Sequence, residues 1–179
     1  MTSTAYTVHP TPVGDALVVV SSDGLVALDV LDGSHEDALA RLSLLLHGVP
    51  EADAEAAGAV TRQLDEYFEG ERRSFEVPLD WRLTHGFARA ALEAVCDIPY
   101  GETASYAEVA ILAGSPGANR AVGSACARTP LSLIVPVHRV VRSDGSIGEY
   151  GGRPDRKRFL LDLESVGAGS SFEEEPARV

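Results

Sequence analysis

The sequence predicts an α+β fold in two parts: a mixed α/β first half, then a mostly helical second half carrying a helix-turn-helix. Three observations predict it. Residues 13–20 and 25–30 are β-rich runs on either side of Ser21-Ser22-Asp23-Gly24, a hairpin-type turn signal. From Thr84 onward the apolar residues recur at helical spacing instead. Within that stretch two short helical segments flank the tight break Gly114-Ser115-Pro116-Gly117, which is the pattern of a helix-turn-helix unit.

Taken in order, residues 5–31 read as a strand meander. Residues 35–47 place Ala38, Leu39, Leu42, Leu45 and Leu46 on one helical face. Pro50 interrupts, and residues 52–68 return to helical periodicity through Ala56, Val60, Leu64, Tyr67 and Phe68, with Gly70 as the stop. Residues 75–79 alternate like an edge strand, where Pro78 is tolerable. No catalytic constellation stands out in this half. His9, His35, His47 and His85 are scattered singly, without cysteine or carboxylate at ligand spacing, so no metal site is expected. Trp81 is expected to pack at a junction near residues 80–84, where no long Gly/Ser linker intervenes. The expected divisions are residues 1–82, 83–166, and an acidic, disordered tail at 167–179.

In the second half Thr84 is placed to cap a helix running through Phe87, Ala88, Ala91, Leu92 and Val95, with Pro99 beyond its end. Ser105-Tyr106-Ala107-Glu108 is a capping-box pattern opening a short helix through Val109, Ala110 and Leu112. Residues 118–126 form the next helix, whose surface is Ala, Gly and Ser with one long cation, Arg120. Two readings stand side by side: tight packing against another helix, or close approach to a nucleic-acid groove with Arg120 reaching in. The apolar run 131–135 reads as a buried strand leading into Pro136-Val137-His138-Arg139-Val140, and a turn-rich segment, 142–152, follows. A histidine set just after a strand, with proline fixing the chain two residues earlier, suits an active-site floor. Val137 between them carries no chemistry.

Composition bounds the alternatives. The 179 residues suit one ordinary domain or two small ones. With 45% hydrophobic residues the chain can bury a core. No apolar run approaches the ~20 residues of a membrane span, and the start lacks a basic n-region, so a soluble cytoplasmic protein is expected. Cys96 and Cys126 suggest neither a disulfide framework nor a zinc site, and read as small packing residues. The net charge of −12 argues against nucleic acid until its distribution is considered. Residues 1–83 hold 5 Lys+Arg against 15 Asp+Glu, whereas residues 84–164 hold 9 of each, with Arg153, Arg156, Lys157 and Arg158 clustered. Screening over ~8 Å lets an acidic first half coexist with a DNA-binding second half.

Residues 98–106 (Ile-Pro-Tyr-Gly-Glu-Thr-Ala-Ser-Tyr), Arg120-Ala121-Val122-Gly123, Pro136-Val137-His138-Arg139-Val140, Gly148-Glu149-Tyr150-Gly151-Gly152 and the stretch from Lys157 to Glu164 occur in one register. Together they resemble the DNA repair alkyltransferases that act on O6-alkylguanine, over residues 84–164. The resemblance implies a ribonuclease-H-like N-terminal α+β domain and a winged-helix-type C-terminal domain. Its second helix would enter the minor groove, with Ala118, Ala121 and Gly123 small enough to allow the approach. By the same match Arg120 is the finger that fills the vacated stack, Tyr106 presses on the phosphate beside the flipped nucleotide, and Tyr150, Gly151 and Gly152 line the guanine pocket. His138 matches the base, Glu164 the residue that orients it, and Arg139 a structural support. The family's nucleophile is a cysteine between Pro and His, a position held here by Val137, and Thr129 replaces the asparagine that usually braces the turn. No cofactor or metal is implied.

Three readings follow from the resemblance. The first is an alkyltransferase-like lesion sensor, a monomer that binds alkylated guanine in double-stranded DNA without alkyl transfer and flags it to nucleotide excision repair proteins. The second is an O6-methylguanine-DNA methyltransferase whose cysteine was engineered to valine. The third is a degenerate DNA-binding paralogue with no lesion preference.

Overall fold

The computed structural model describes residues 3–169. Most of the expected tail therefore lies outside the described residues. The first half is a four-stranded sheet in the order β3-β2-β1-β4, with β1 (Thr4–His9), β2 (Ala16–Ser21) and β3 (Gly24–Val30) antiparallel and the short β4 (Glu51–Ala52) parallel to β1. Strand β2 reads as an unbroken apolar run because both of its faces are covered. Leu17 and Val19 pack under α1 (His35–Leu46), while Ala16, Val18 and Val20 join the main core on the other side. Pairing jumps from Val19–Ala27 to Val20–Leu25, and this bulge puts Val26 and Ala27 into the same layer.

The hairpin turn forms as expected, and Gly24 is required there. Its φ is 137°, and a Cβ at that position would run into the Pro78 carbonyl. That contact also shows why residues 75–79 are not the expected edge strand. Only Leu79 bridges to Leu25, held by Leu25 N–H donating to Pro78 O (2.8 Å) and Asp80 N–H to Leu25 O (2.8 Å). The expected helix over 52–68 starts later, as α2 (Gly58–Phe68), because Asp53 turns the chain by accepting from the Glu55 and Ala56 amides. Gly70, at φ 79°, ends it as expected. His9 is not solitary: its Nε2 pairs with Asp65 of α2 at 2.6 Å.

In the second half, α3 (Gly86–Cys96) is preceded by His85, not capped by Thr84, whose hydroxyl is buried without a partner among the described residues. The capping box is present as read: Ser105 accepts from the Glu108 amide and Glu108 reaches back to the Ser105 amide, opening α4 (Tyr106–Leu112). Helix α5 (Asn119–Ala127) follows the glycine break. Two residues of β5 (Ala104–Ser105) pair in parallel with β6 (Val140–Val141), and α6 (Pro154–Gly167), the last helix among the described residues, has proline in its first turn. A single buried cluster runs from Val18, Leu28 and Leu64 through Leu92 and Val122 to Val137 and Leu160. The two halves share that core. Trp81 packs against it, with the Arg89 guanidinium over its ring at 5.6 Å. No helix among the described residues is long and apolar enough to cross a membrane.

Candidate functional site

The run 131–135 is buried, but it is a loop and not the expected strand. Leu133 turns at φ 69°, Ser132 bridges Val135, and the Ile134 amide donates to Ser132 O at 2.8 Å. Thr129 supports its entry by accepting from the Leu131 amide at 3.1 Å. After Pro136 the chain makes one 3-10 turn, Val137–Arg139, with all three side chains buried. This turn separates them: Val137 lines a cavity, while His138 and Arg139 converge on Glu164 of α6.

Glu164 is wholly buried and accepts four hydrogen bonds from three side chains. Its Oε1 receives His138 Nε2 (2.7 Å), Arg139 Nη2 (2.9 Å) and the Tyr67 hydroxyl (2.7 Å), and Oε2 receives Arg139 Nε (2.9 Å). The Gly101 amide adds a longer bond at 3.3 Å, and Arg139 Nη1 is anchored on Ile98 O at 2.6 Å. Burial alone would raise the carboxyl's pKa, but the bonds from His138, Arg139 and Tyr67 outweigh it and hold it at about 2. Burial pushes the His138 pKa down, with Glu164 opposing. At neutral pH the imidazole is therefore neutral and its Nε2–H faces the carboxylate. That tautomer leaves Nδ1 as a bare acceptor, buried with no partner among the described residues.

Both shifts make the fold acid-labile. His138 is held neutral, so the unfolded chain takes up its proton more readily and stability falls as pH drops through its unfolded value near 6.5. Glu164 contributes stability that is full above about 4.5 and lost as pH falls toward about 2. Thermal unfolding across this range is expected to show Tm declining already near pH 6.5. A Tm that stays flat until the carboxylates titrate would contradict the neutral, buried imidazole.

Above Val137 lies a cavity of about 740 Å³. It gathers Tyr106, Arg120, Gly123, Thr129, Val137, Tyr150 and Gly151 of the expected site on one surface. Besides His138, Arg139 and Glu164 beneath it, three expected residues stay off that wall. Ala118 precedes α5 and packs on the core, Ala121 is exposed on α5, and Gly152 is exposed beyond Gly151. The two readings of α5 resolve by face. Val122 and Ala125 pack inward, while Asn119, Arg120, Ala121 and Ser124 are exposed, so tight helix packing does not explain the small outer residues.

The basic cluster at 153–158 is largely spent inside the protein. Arg153 pairs with Asp32 (2.6 Å) and Asp155 (2.8 Å), and Arg156 binds Val30 O, Leu31 O and Asp32. Lys157 is fully buried on Val140 O. Sequence reasoning also missed two contributions from the first half. Tyr67 donates its hydroxyl across the halves to Glu164, and the end of β3 with the turn after it lends Asp29, Val30 and Asp32 to the cavity wall. A tyrosine at a core-facing helical position was the available signal, since a buried phenol needs a partner. Among the described residues no group of three His, Cys, Asp or Glu is placed to hold a metal ion.

The profile of the 6-O-methylguanine DNA methyltransferase ribonuclease-like domain matches residues 4–81, and that of the same family's DNA-binding domain matches residues 86–166. The chain belongs to the O6-methylguanine DNA methyltransferase family. The methylated-DNA–protein-cysteine methyltransferase of Mycobacterium tuberculosis is 40% identical over 159 residues, 89% of this chain and 91% of that protein. The crystal structure of the M. tuberculosis O6-methylguanine methyltransferase superposes with a TM-score of 0.80 at 35% identity, covering 95% of this chain and 98% of that one. The same enzyme in complex with DNA gives 0.78 at 36% identity, over 91% and 94%.

The relatives' name specifies a protein cysteine as methyl acceptor. In this member of the methyltransferase family the side chain between Pro136 and His138 is an aliphatic valine, and the cysteines lie elsewhere. Cys96 ends α3, away from the cavity. Cys126 lies on the α5 wall of the cavity, and burial pushes its thiol up to about 11 despite nearby Lys157.

Proposed function

We propose that Val137 stands where the methyltransferases carry their nucleophile, and that this chain binds O6-alkylguanine in duplex DNA without accepting the alkyl group. The observation that carries the reading is the contrast at one turn. His138, Arg139 and Glu164 form a hydrogen-bonded buried network, while the neighbouring side chain facing the cavity is a saturated hydrocarbon. A valine can form neither a thiolate nor a bond to an alkyl carbon. Cys126 does not replace it, because a thiol held near 11 is protonated at neutral pH and the thiolate is the nucleophile.

On this reading the exposed face of α5 lies in the minor groove, where Ala121 and Gly123 permit close approach and Ala118 sits just ahead of the helix. Arg120 fills the gap left by the extruded base, and Tyr106 bears on the adjacent phosphate. The flipped base enters the cavity between Tyr150-Gly151 and Val137, with Gly152 continuing that loop outside the wall. Thr129 and Arg139 brace the floor. Flipping costs a few kcal/mol of unstacking, least for a mispaired base, which biases capture toward the lesion. The close likeness to a relative whose structure includes DNA supports the docking mode. A cytoplasmic monomer that holds the lesion for nucleotide excision repair proteins is the corresponding role in repair.

Equilibrium binding to duplexes with and without a single O6-methylguanine tests the reading. The lesion duplex is expected to bind more tightly. Arg120→Ala is expected to weaken that binding by about 1–2 kcal/mol, roughly tenfold, on the scale of a lost stacking contact. Equal affinity for both duplexes would favour a paralogue without lesion preference, and unchanged affinity in Arg120→Ala would remove the arginine from its role.

A further inference from the structure

Lys157 is fully buried in the first turn of α6, where a cation opposes the helix dipole. Its bonds go to two backbone carbonyls and not to a carboxylate. Burying an ammonium this way is expensive, and a methionine of similar length would fill the space without that cost. The charge therefore needs a reason beyond packing. Its contacts supply one. Nζ donates to Val140 O at 2.5 Å, one residue past the Val137–Arg139 turn, and more loosely to Glu149 O at 3.5 Å, one residue before Tyr150. The same ammonium lies 5.9 Å from the centre of the Tyr106 ring. One side chain thus joins the exit of the cavity floor, the start of the Tyr150 loop and the aromatic wall of α4.

We infer that Lys157 is a positioning residue of the lesion cavity: its ammonium holds the Tyr150 loop and the Tyr106 ring in the geometry that receives the flipped base. The inference rests on the lesion-binding reading. The ionisable groups facing it are Cys126 on α5, Tyr106 on α4, Arg142 and Glu149 on the loop, and His138 in the 3-10 turn. Burial, aided by Arg142, lowers the lysine to about 8 against the support of Cys126 and Glu149. Burial raises both Cys126, to about 11, and Tyr106. Lys157 is therefore the member of this group that loses charge between about pH 7 and pH 9.

The sign of the pH effect separates positioning from packing. A lysine whose folded pKa is lowered leaves the unfolded chain binding the proton more tightly between about 8 and 10.5, so its contribution to fold stability rises with pH in that window. Lesion binding moves the other way, because deprotonation weakens the charge-assisted bonds to the loop.

The test is fluorescence anisotropy with the full chain at constant ionic strength, using the O6-methylguanine duplex and its undamaged control across about pH 7–9. Lesion affinity is expected to fall roughly tenfold through pH about 8, with little change for the control. Lys157→Met should bind the lesion more weakly with no alkaline fall. Its amides in 142–151 should exchange faster while those of α2 and α3 keep their protection. A flat profile in the unaltered protein, or the same alkaline fall in Lys157→Met, would overturn the inference. If the protein shows no lesion preference at any pH, the binding reading fails instead, and the exchange comparison on free protein still decides whether Lys157 holds the loop.

Discussion

Val137→Cys is expected to turn the protein from one that transfers nothing into one that accepts one alkyl group per chain. The substitution is small in volume, and cysteine behaves as a compact hydrophobe in a buried site. Val137 is only 4% exposed, so the loss of stability should be modest, about 1 kcal/mol. The new thiol would share the turn with His138, whose Nε2–H is committed to Glu164 and whose Nδ1 is a bare acceptor. A thiol proton passed to the imidazole leaves a thiolate, and the imidazolium is stabilised by the Glu164 carboxylate. The sulfur then attacks the alkyl carbon, forming an S–C bond as the C–O6 bond breaks, and the guanine leaves with its electron pair and takes up a proton. Transfer of labelled methyl from DNA to the variant, with none to the parent, is the expected outcome. A folded variant that binds the lesion but takes no label would place the fault in the Thr129 turn.

Glu164→Leu is expected to cost about 3–5 kcal/mol of stability, because it leaves Arg139 as a buried charge without a counter-ion. It also strips partners from His138 Nε2 and the Tyr67 hydroxyl, a loss shared between the two halves. For a chain of this size that corresponds to a fall in Tm of roughly 10 °C. Glu164→Gln keeps acceptors for part of the network and should lose less. Denaturant unfolding of both variants checks this, and a Leu variant as stable as the parent would show that the network does not hold the core together.

Much of this was legible in the sequence where local chemistry decides structure. The Ser105–Glu108 capping box, the Ser21–Gly24 turn and the Gly70 stop each declare themselves through residues whose side chains or φ preferences act on their own backbone. Residues 131–135 were misleading because a short apolar run has no period to separate strand from buried loop, and the left-handed turn at Leu133 leaves no mark in residue type. The fate of the 153–158 basic cluster was readable only by face. Lys157, Leu160 and Glu164 lie on one buried helical stripe, so the lysine belongs with the core and not with a DNA-binding surface. Tyr67 was hidden for the opposite reason: its ring satisfies the apolar pattern of α2, and only its tip reaches the site. Long-range pairing of that kind is set by how the halves dock, which no local pattern encodes.

The decisive measurement is the intact mass of the protein after incubation with a duplex it demonstrably retains through a single O6-methylguanine. Recognition without transfer predicts preferential retention of that duplex and a protein mass unchanged at every time point. A mass increase of one methyl group per chain would contradict it, and peptide mapping would then show whether Cys126 had taken the alkyl group.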